Sequence, residues 1–427
     1  PSDDAREPAI TLGVALEDQR PVRANLESLR KHVAIFAGSG SGKTVLIRRL
    51  VEECALRGVS AIVLDPNNDL ARLGDPWPEP PAQWGPGDAE QAADYLANTD
   101  VVVWTPRREA GRPVSFQPLP DLGSVRDDPD ELSVAIDAAV AALAPRARVD
   151  GRTTRASHGR AVLHEALRFY AQQGGSELKP FVDLLADLPD GVSALGKADR
   201  IGAELSESLT AAMVVDPLFG GDATPVDPGR LLTPPPGKRA RVSVISLVGL
   251  PSDEQRQGFV NQLQMALFAW VKRHPAGDRP LGGLFVMDEA QTFAPSGAMT
   301  PCTESTLALA TQARKYGLGL VFATQAPRGL HNRIPGNAAT QFFGFLNSPV
   351  QIEAANQMAR AKGSGVLDIS RLTTGQFYAT GEGMPFRKVR TPLCLSYHPS
   401  SPLTTEEVVI RARGAGVSRA GAPVPAG

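Results

Sequence analysis

Eight residues, Ala37-Gly38-Ser39-Gly40-Ser41-Gly42-Lys43-Thr44, lie between the apolar run Val33-Ala34-Ile35-Phe36 and the run Val45-Leu46-Ile47-Arg48-Arg49-Leu50. A strand, a loop of small residues and a helix in that order build a cradle for phosphate. Inward backbone N–H groups and the positive end of the helix meet the anion, Lys43 adds a full charge, and the Thr44 hydroxyl is a ligand for Mg²⁺. The stretch predicts an α/β protein that binds a nucleoside triphosphate through residues 37–44. The usual first glycine is replaced by Ala37, while Gly38, Gly40 and Gly42 keep the loop free of bulk.

Short β-branched runs recur along the chain, with helical segments between them: residues 33–36, 60–64, 101–104, 242–246, 284–287, 318–323 and 341–346. Such alternation predicts a mostly parallel sheet wrapped by helices. The spacing of Phe259, Leu263, Leu267 and Trp270 predicts a helix whose core stripe includes all four. Between about residues 107 and 241 the pattern is helical, near 131–143, 157–173 and 194–215, and predicts an all-helical insertion. The expected organisation is therefore residues 1–106 and 242–402 as two parts of one ATPase core, 107–241 as the insertion, and 403–427 as a tail. The Gly, Ala and Pro of 414–427 predict little regular structure there.

A net charge of -2 excludes a uniformly basic nucleic-acid coat, so contacts with nucleic acid must be local. Cys54, Cys302 and Cys394 lack metal-site or disulfide spacing, which predicts a reducing compartment, the cytoplasm. No apolar stretch of about 18 residues predicts a membrane span, and no secretion signal is read at the N-terminus. A chain that starts at Pro1 rather than Met is expected to be processed or partial.

The apolar run Leu284-Phe285-Val286-Met287 ends in Asp288-Glu289. A carboxylate at the tip of a buried strand beside a phosphate loop suits Mg²⁺, the role expected of Asp288. The next acid can orient or deprotonate the attacking water, the role expected of Glu289. The run from Leu318 to Ala323 ends in Thr324-Gln325, and if its strand neighbours the Leu284 strand, Gln325 lies where an amide can hold that water and sense the γ-phosphate. Asp65 and Asp69 follow the second strand and are read first as caps of the next segment. His32 and His398 lack metal-ligand spacing and are read as structural.

The chain has neither an LSGGQ-like transporter signature nor the N-K-x-D guanine motif, which favours ATP over GTP. Taken in order, the 37–44 loop, Ala61-Ile62-Val63-Leu64-Asp65-Pro66-Asn67-Asn68-Asp69, Val286-Met287-Asp288-Glu289-Ala290-Gln291, Ala313-Arg314-Lys315-Tyr316-Gly317 and Ala323-Thr324-Gln325-Ala326-Pro327 resemble the HerA/FtsK superfamily, above all its HerA and VirB4-type ATPases. The resemblance spans residues 12 to 402. It implies a RecA-like core, a hexameric ring that moves double-stranded DNA through its channel, and work beside a nuclease in DNA processing or antiviral defence. It also implies that Arg314 reaches a neighbouring subunit's site as an arginine finger. Two departures stand out: the strand near 341–346 lacks the family's arginine, and the forty residues before the loop hold one hairpin at most, not the N-terminal barrel of HerA itself. Alternatives of other classes are an ATP-gated ring that recruits an effector and a VirB4-like secretion or conjugation ATPase. DNA contacts are expected from Arg328 and Arg333 in the loop after Gln325, with His331 and Asn332 beside them. The 293–301 loop and the run Arg146, Arg148, Arg152, Arg155 and Arg160 are further candidates, a solvated face being the commoner explanation of such a run.

Overall fold

A computed structural model describes residues 9–414, apart from 117–118, 120–121, 123–125, 176, 217 and 221–223; within the tail expected at 403–427, Thr405–Ala412 form a helix and 415–427 lie outside the described residues. The chain divides into two compact units, residues 1–112 with 227–427, and residues 113–226.

In the larger unit, strands β1 (Ala9–Ala15), β2 (Pro21–Asn25), β3 (Val33–Phe36), β4 (Ala61–Asp65) and β5 (Thr99–Trp104) precede the smaller unit. Among the described residues, the strands of the smaller unit are β6 (Val114–Ser115) and β7 (Thr224–Pro225). The larger unit resumes with β8 (Ala240–Ser246), β9 (Gly283–Met287), β10 (Leu318–Thr324), β11 (Thr340–Phe343), β12 (Gln376–Gly381) and β13 (Met384–Arg390). Eleven of these form one sheet in the order β2-β1-β13-β12-β11-β3-β10-β9-β4-β8-β5.

From β11 to β5 every pairing is parallel, and from β2 to β11 every pairing is antiparallel. The difference follows from composition. Every residue of β3, β4, β9 and β10 is buried, as a parallel strand covered on both faces requires. β2 alternates exposed and buried residues, and β12 turns into β13 through Glu382-Gly383, where Gly383 takes φ +69°, a conformation that costs glycine little. Because the parallel strands point one way, the segments after β3, β4, β9 and β10 emerge on one edge, where ligands of such sheets bind.

The Asp253–Arg273 helix begins with a capping box between Ser252 and Gln255 and buries Phe259, Leu263, Leu267 and Val271. Trp270 is only half-buried and stacks on His274, with ring centroids 4.8 Å apart. The buried ridge advances by four residues at each step, so it reaches Val271 rather than the Trp270 expected from sequence.

The smaller unit packs helices Pro129–Leu143, Thr154–Gln172, Leu178–Ala186 and Ala198–Val215 around Ile136, Leu163, Leu167, Phe181, Leu185 and Leu209. It begins at 113 and ends at 226, inside the span 107–241 read from sequence, and it is not purely helical, since β6 and β7 pair in parallel. Two-residue strands have no periodicity to betray them.

Candidate nucleotide site

The loop leaves β3 and enters the Lys43–Leu56 helix through Gly40 at φ +75° and Gly42 at φ +89°, left-handed values that favour glycine. Ala37 has an ordinary φ, so the usual glycine is not needed for the backbone there. Its methyl is fully buried against Gly344, where an added Cβ would stand 2.8 Å away. Within the loop the Ser41 hydroxyl donates to the Gly38 carbonyl at 2.6 Å and accepts from the Lys43 N–H at 3.3 Å, which fixes the turn into the helix. Ser39 and Gly40 are exposed, and Thr44 is half-buried in the first helical turn.

Lys43 extends from that turn to the tip of β9. Its Nζ donates to Asp288 Oδ1 at 2.6 Å and to Glu289 Oε1 at 2.7 Å, although the partners are 245 and 246 residues away in sequence. Burial alone would lower the lysine's pKa, but the two carboxylates outweigh it and hold the value above the ordinary one. At Asp288, 2% exposed, burial outweighs the attraction of Lys43 and raises the pKa. Glu289 goes the other way: burial is its largest influence, yet Lys43 together with hydrogen bonds from Gln291 and Gln325 brings its pKa below the usual range.

Both carboxylate oxygens of Glu289 are engaged. Gln325 Nε2 donates to Oε1 at 2.8 Å, and Gln291 Nε2 donates to Oε2 at 2.7 Å. Gln291 is itself set by the Thr324 hydroxyl, which donates to its Oε1 at 2.6 Å. Glu289 also sits at φ +51°, a left-handed conformation that costs a non-glycine residue of order 1 kcal/mol and clusters at functional sites. β9 and β10 are neighbours, and their tips bring Asp288, Glu289 and Gln325 beside Lys43. Gln291 and Thr324 had no individual signal in the sequence.

A second group, also missed in sequence, fastens the helix of the loop. Arg48, fully buried, donates to the Asp69 and Arg72 carbonyls, to Ser396 Oγ and to the Tyr397 carbonyl. Glu52, equally buried, accepts from the N–H groups of Leu395 and Ser396. Asp65 accepts from the N–H groups of Asp69 and Leu70, the cap read from sequence, and burial pushes its pKa up to about 7.

The remaining candidates lie apart from this cluster. Arg314 is in the Ala313–Tyr316 turn just before β10, so the length of that strand, about 20 Å, separates it from Gln325. It lines a cleft of about 670 Å³ with Arg30, Lys31, Lys315 and Glu382. Arg30 is bound to the Pro280 carbonyl, Lys31 pairs with Glu382, and Lys315 lies 5.0 Å from the Tyr316 ring centroid. The exposed Arg314 guanidinium has no hydrogen-bond partner among the described residues. Arg328 and Arg333 are exposed on the segment after β10, flanking His331 and Asn332. In the smaller unit Arg146 pairs with Asp216, Arg155 pairs with Glu204, and Arg160 donates to the Gly151 carbonyl, so three of the five arginines are engaged in its own structure.

The donor set fits a magnesium nucleotide. Thr44 and Asp288 offer oxygen ligands, Lys43 and the helix start offer charge for phosphate, and Mg²⁺ is commonly held by one or two carboxylates plus the phosphates themselves. Among the described residues no group of three or more His, Cys, Asp or Glu side chains forms an all-protein metal cage.

The family model for the central domain of helicase HerA matches residues 10–265, more than half of the chain, and includes the whole 37–44 loop. No curated protein matches. Among solved structures, the bacterial conjugative coupling protein TrwBdeltaN70 is 14% identical, with a TM-score of 0.50 over 92% of this chain and 96% of its own. VirB4 of Thermoanaerobacter pseudethanolicus is 14% identical, with a TM-score of 0.52 over 90% of this chain and 96% of its own. Both likenesses of fold cover a larger share of this chain than the family match does. The fold is the RecA-like α/β core expected from sequence, and with its phosphate loop the chain belongs to the HerA central-domain family.

Proposed function

We propose that this chain is an ATP-hydrolysing motor subunit that works as a homo-oligomeric ring, a hexamer, on double-stranded DNA. The observation that carries the reading is Lys43 shared between Asp288 and Glu289, with Gln325 bound to the same glutamate. Residues 37–44 wrap the phosphates of ATP, and Thr44 and Asp288 hold Mg²⁺, which when bound neutralises phosphate charge during phosphoryl transfer. Glu289, a carboxylate that is ionised at neutral pH, accepts the proton of the attacking water, and Gln325 orients that water. Gln291 and Thr324 keep the glutamate turned toward it.

Arg314 stands a strand's length from its own subunit's site and is uncommitted in its cleft, which supports its use by an adjacent subunit. A site completed by a neighbour is the reason for a ring. Arg328 and Arg333 supply local cations for the DNA backbone, in keeping with a net charge near zero. A nuclease or other effector working with the ring, in DNA processing or antiviral defence, belongs to the same proposal. The test is Mg·ATP hydrolysis with and without duplex DNA. DNA should stimulate turnover, Lys43→Ala should remove it, and a well-folded chain that neither binds nor hydrolyses Mg·ATP refutes the motor.

A further inference from the structure

A loop that turns its N–H groups inward to meet phosphate turns carbonyls outward, and those oxygens need donors from elsewhere. Here they come from the turn before β12, more than three hundred residues away in sequence. The Thr374 hydroxyl donates to the Gly40 carbonyl at 2.8 Å, and the Gly375 N–H donates to the Ser41 carbonyl at 2.9 Å. The turn is anchored on its far side: the Thr391 N–H donates to the Gly375 carbonyl at 2.9 Å, and Leu372 is buried. Contact is so close that a Cβ on Gly42 would stand 3.0 Å from the Gly375 nitrogen.

We propose that Thr374 is a positioning residue for nucleotide binding, a clasp that holds the outer side of the phosphate loop so that its N–H groups are aimed before the anion arrives. The proposal rests on reading residues 37–44 as the nucleotide loop. It makes the antiparallel edge of the sheet, through β12 and β13, part of the binding apparatus without touching the ligand. Part of the ordering cost of the loop is then met in the folded chain rather than at binding.

The experiment titrates Mg·ADP into the full chain by calorimetry for the wild type, Thr374→Val and Thr374→Ser, with a melting temperature for each. Thr374→Val keeps the shape and removes the donor, and its affinity should fall about two- to tenfold with an unchanged melting temperature. Thr374→Ser restores the hydroxyl and should restore the affinity. Wild-type affinity in Thr374→Val, or an equal loss in Thr374→Ser, overturns the clasp while leaving the loop's role intact. Failure of the wild type to bind Mg·ADP overturns both. If Thr374→Val does not fold, Thr374→Ala against Thr374→Ser makes the same comparison.

Discussion

The two ends of β10 differ in how their charges are settled. At the C-terminal end, Lys43, Asp288, Glu289, Gln291, Thr324 and Gln325 satisfy one another at 2.6 to 2.8 Å. At the N-terminal end, Arg314 faces a cleft whose other cations are engaged. One end is settled within the chain, and the other leaves an exposed charge with no hydrogen-bond partner among the described residues. If that contrast reflects a ring, Arg314→Ala should lower turnover of the assembled protein by about 10³ to 10⁵. Mixing is the sharper measurement: a Lys43→Ala subunit still offers Arg314, so adding it to Arg314→Ala subunits should restore hydrolysis in mixed rings. No loss in Arg314→Ala breaks the comparison.

At the other end the expected effect is somewhat smaller. Glu289→Gln retains a side chain able to meet Gln291 and Gln325 but removes the base and one of the two negative charges at Lys43. Turnover should fall about 10² to 10⁴, while Mg·ATP stays bound through the loop. Single-turnover hydrolysis and nucleotide retention on a filter separate the two effects. A variant that hydrolyses at the wild-type rate would take the base role from Glu289.

The parallel half of the sheet was legible because strands covered on both faces are buried throughout and read as apolar runs, as β3, β4, β9 and β10 do apart from Asp65 and Thr324 at their C-terminal ends. The antiparallel edge was legible only as room for a hairpin before the loop; β12 and β13 mix polar and apolar residues and resemble loop sequence. Within the site, Lys43, Asp288, Glu289 and Gln325 carry their chemistry in residue type and in position at a strand end. Gln291, Arg48, Glu52 and Thr374 do not. Their partners lie 33, 348, 343 and 334 residues away along the chain, and such a pairing exists only after the sheet has closed. Trp270 failed for a subtler reason, since a one-residue difference in helical ridge separates a core position from a flank.

The Arg314 end also has an acid-sensitive support. His32 is 1% exposed, accepts the Leu320 N–H at Nδ1 (3.2 Å), and its Nε2 donates to the Ala310 carbonyl at 3.0 Å, so the neutral ring ties β3 and β10 to the helix that precedes Arg314. Burial lowers its pKa to about 4, with the Arg314 charge adding to the effect and the Ala310 carbonyl opposing it. The unfolded chain, near 6.5, takes up the proton first. Stability is therefore fully present above pH 6.5 and is lost as pH falls toward 4, by on the order of 3 kcal/mol. Urea unfolding at pH 7.5 and 4.5 should show this loss in the wild type and a flatter response in His32→Gln. Equal pH responses would show that the ring does not support this end.

The smallest expected effect concerns the methyl of Ala37. Gly344 lies beside it just after β11, and a Cβ added there would stand 2.8 Å from the Ala37 methyl and 2.6 Å from the Phe377 ring. All three positions are packed around the start of the phosphate loop, where neither backbone nor ring can yield without moving a strand. Gly344→Ala should therefore destabilise the chain by about 1–3 kcal/mol, as overpacking does in a dense core. Ala37→Gly in the same chain removes one of the two obstructing groups and should recover part of the loss, less than all of it because the Phe377 contact remains. Chemical denaturation of the two single variants and the double variant measures the coupling directly. Strict additivity would mean that alanine at 37 and glycine at 344 are independent, and that the departure from the usual loop pattern has another origin than the space that Gly344 leaves.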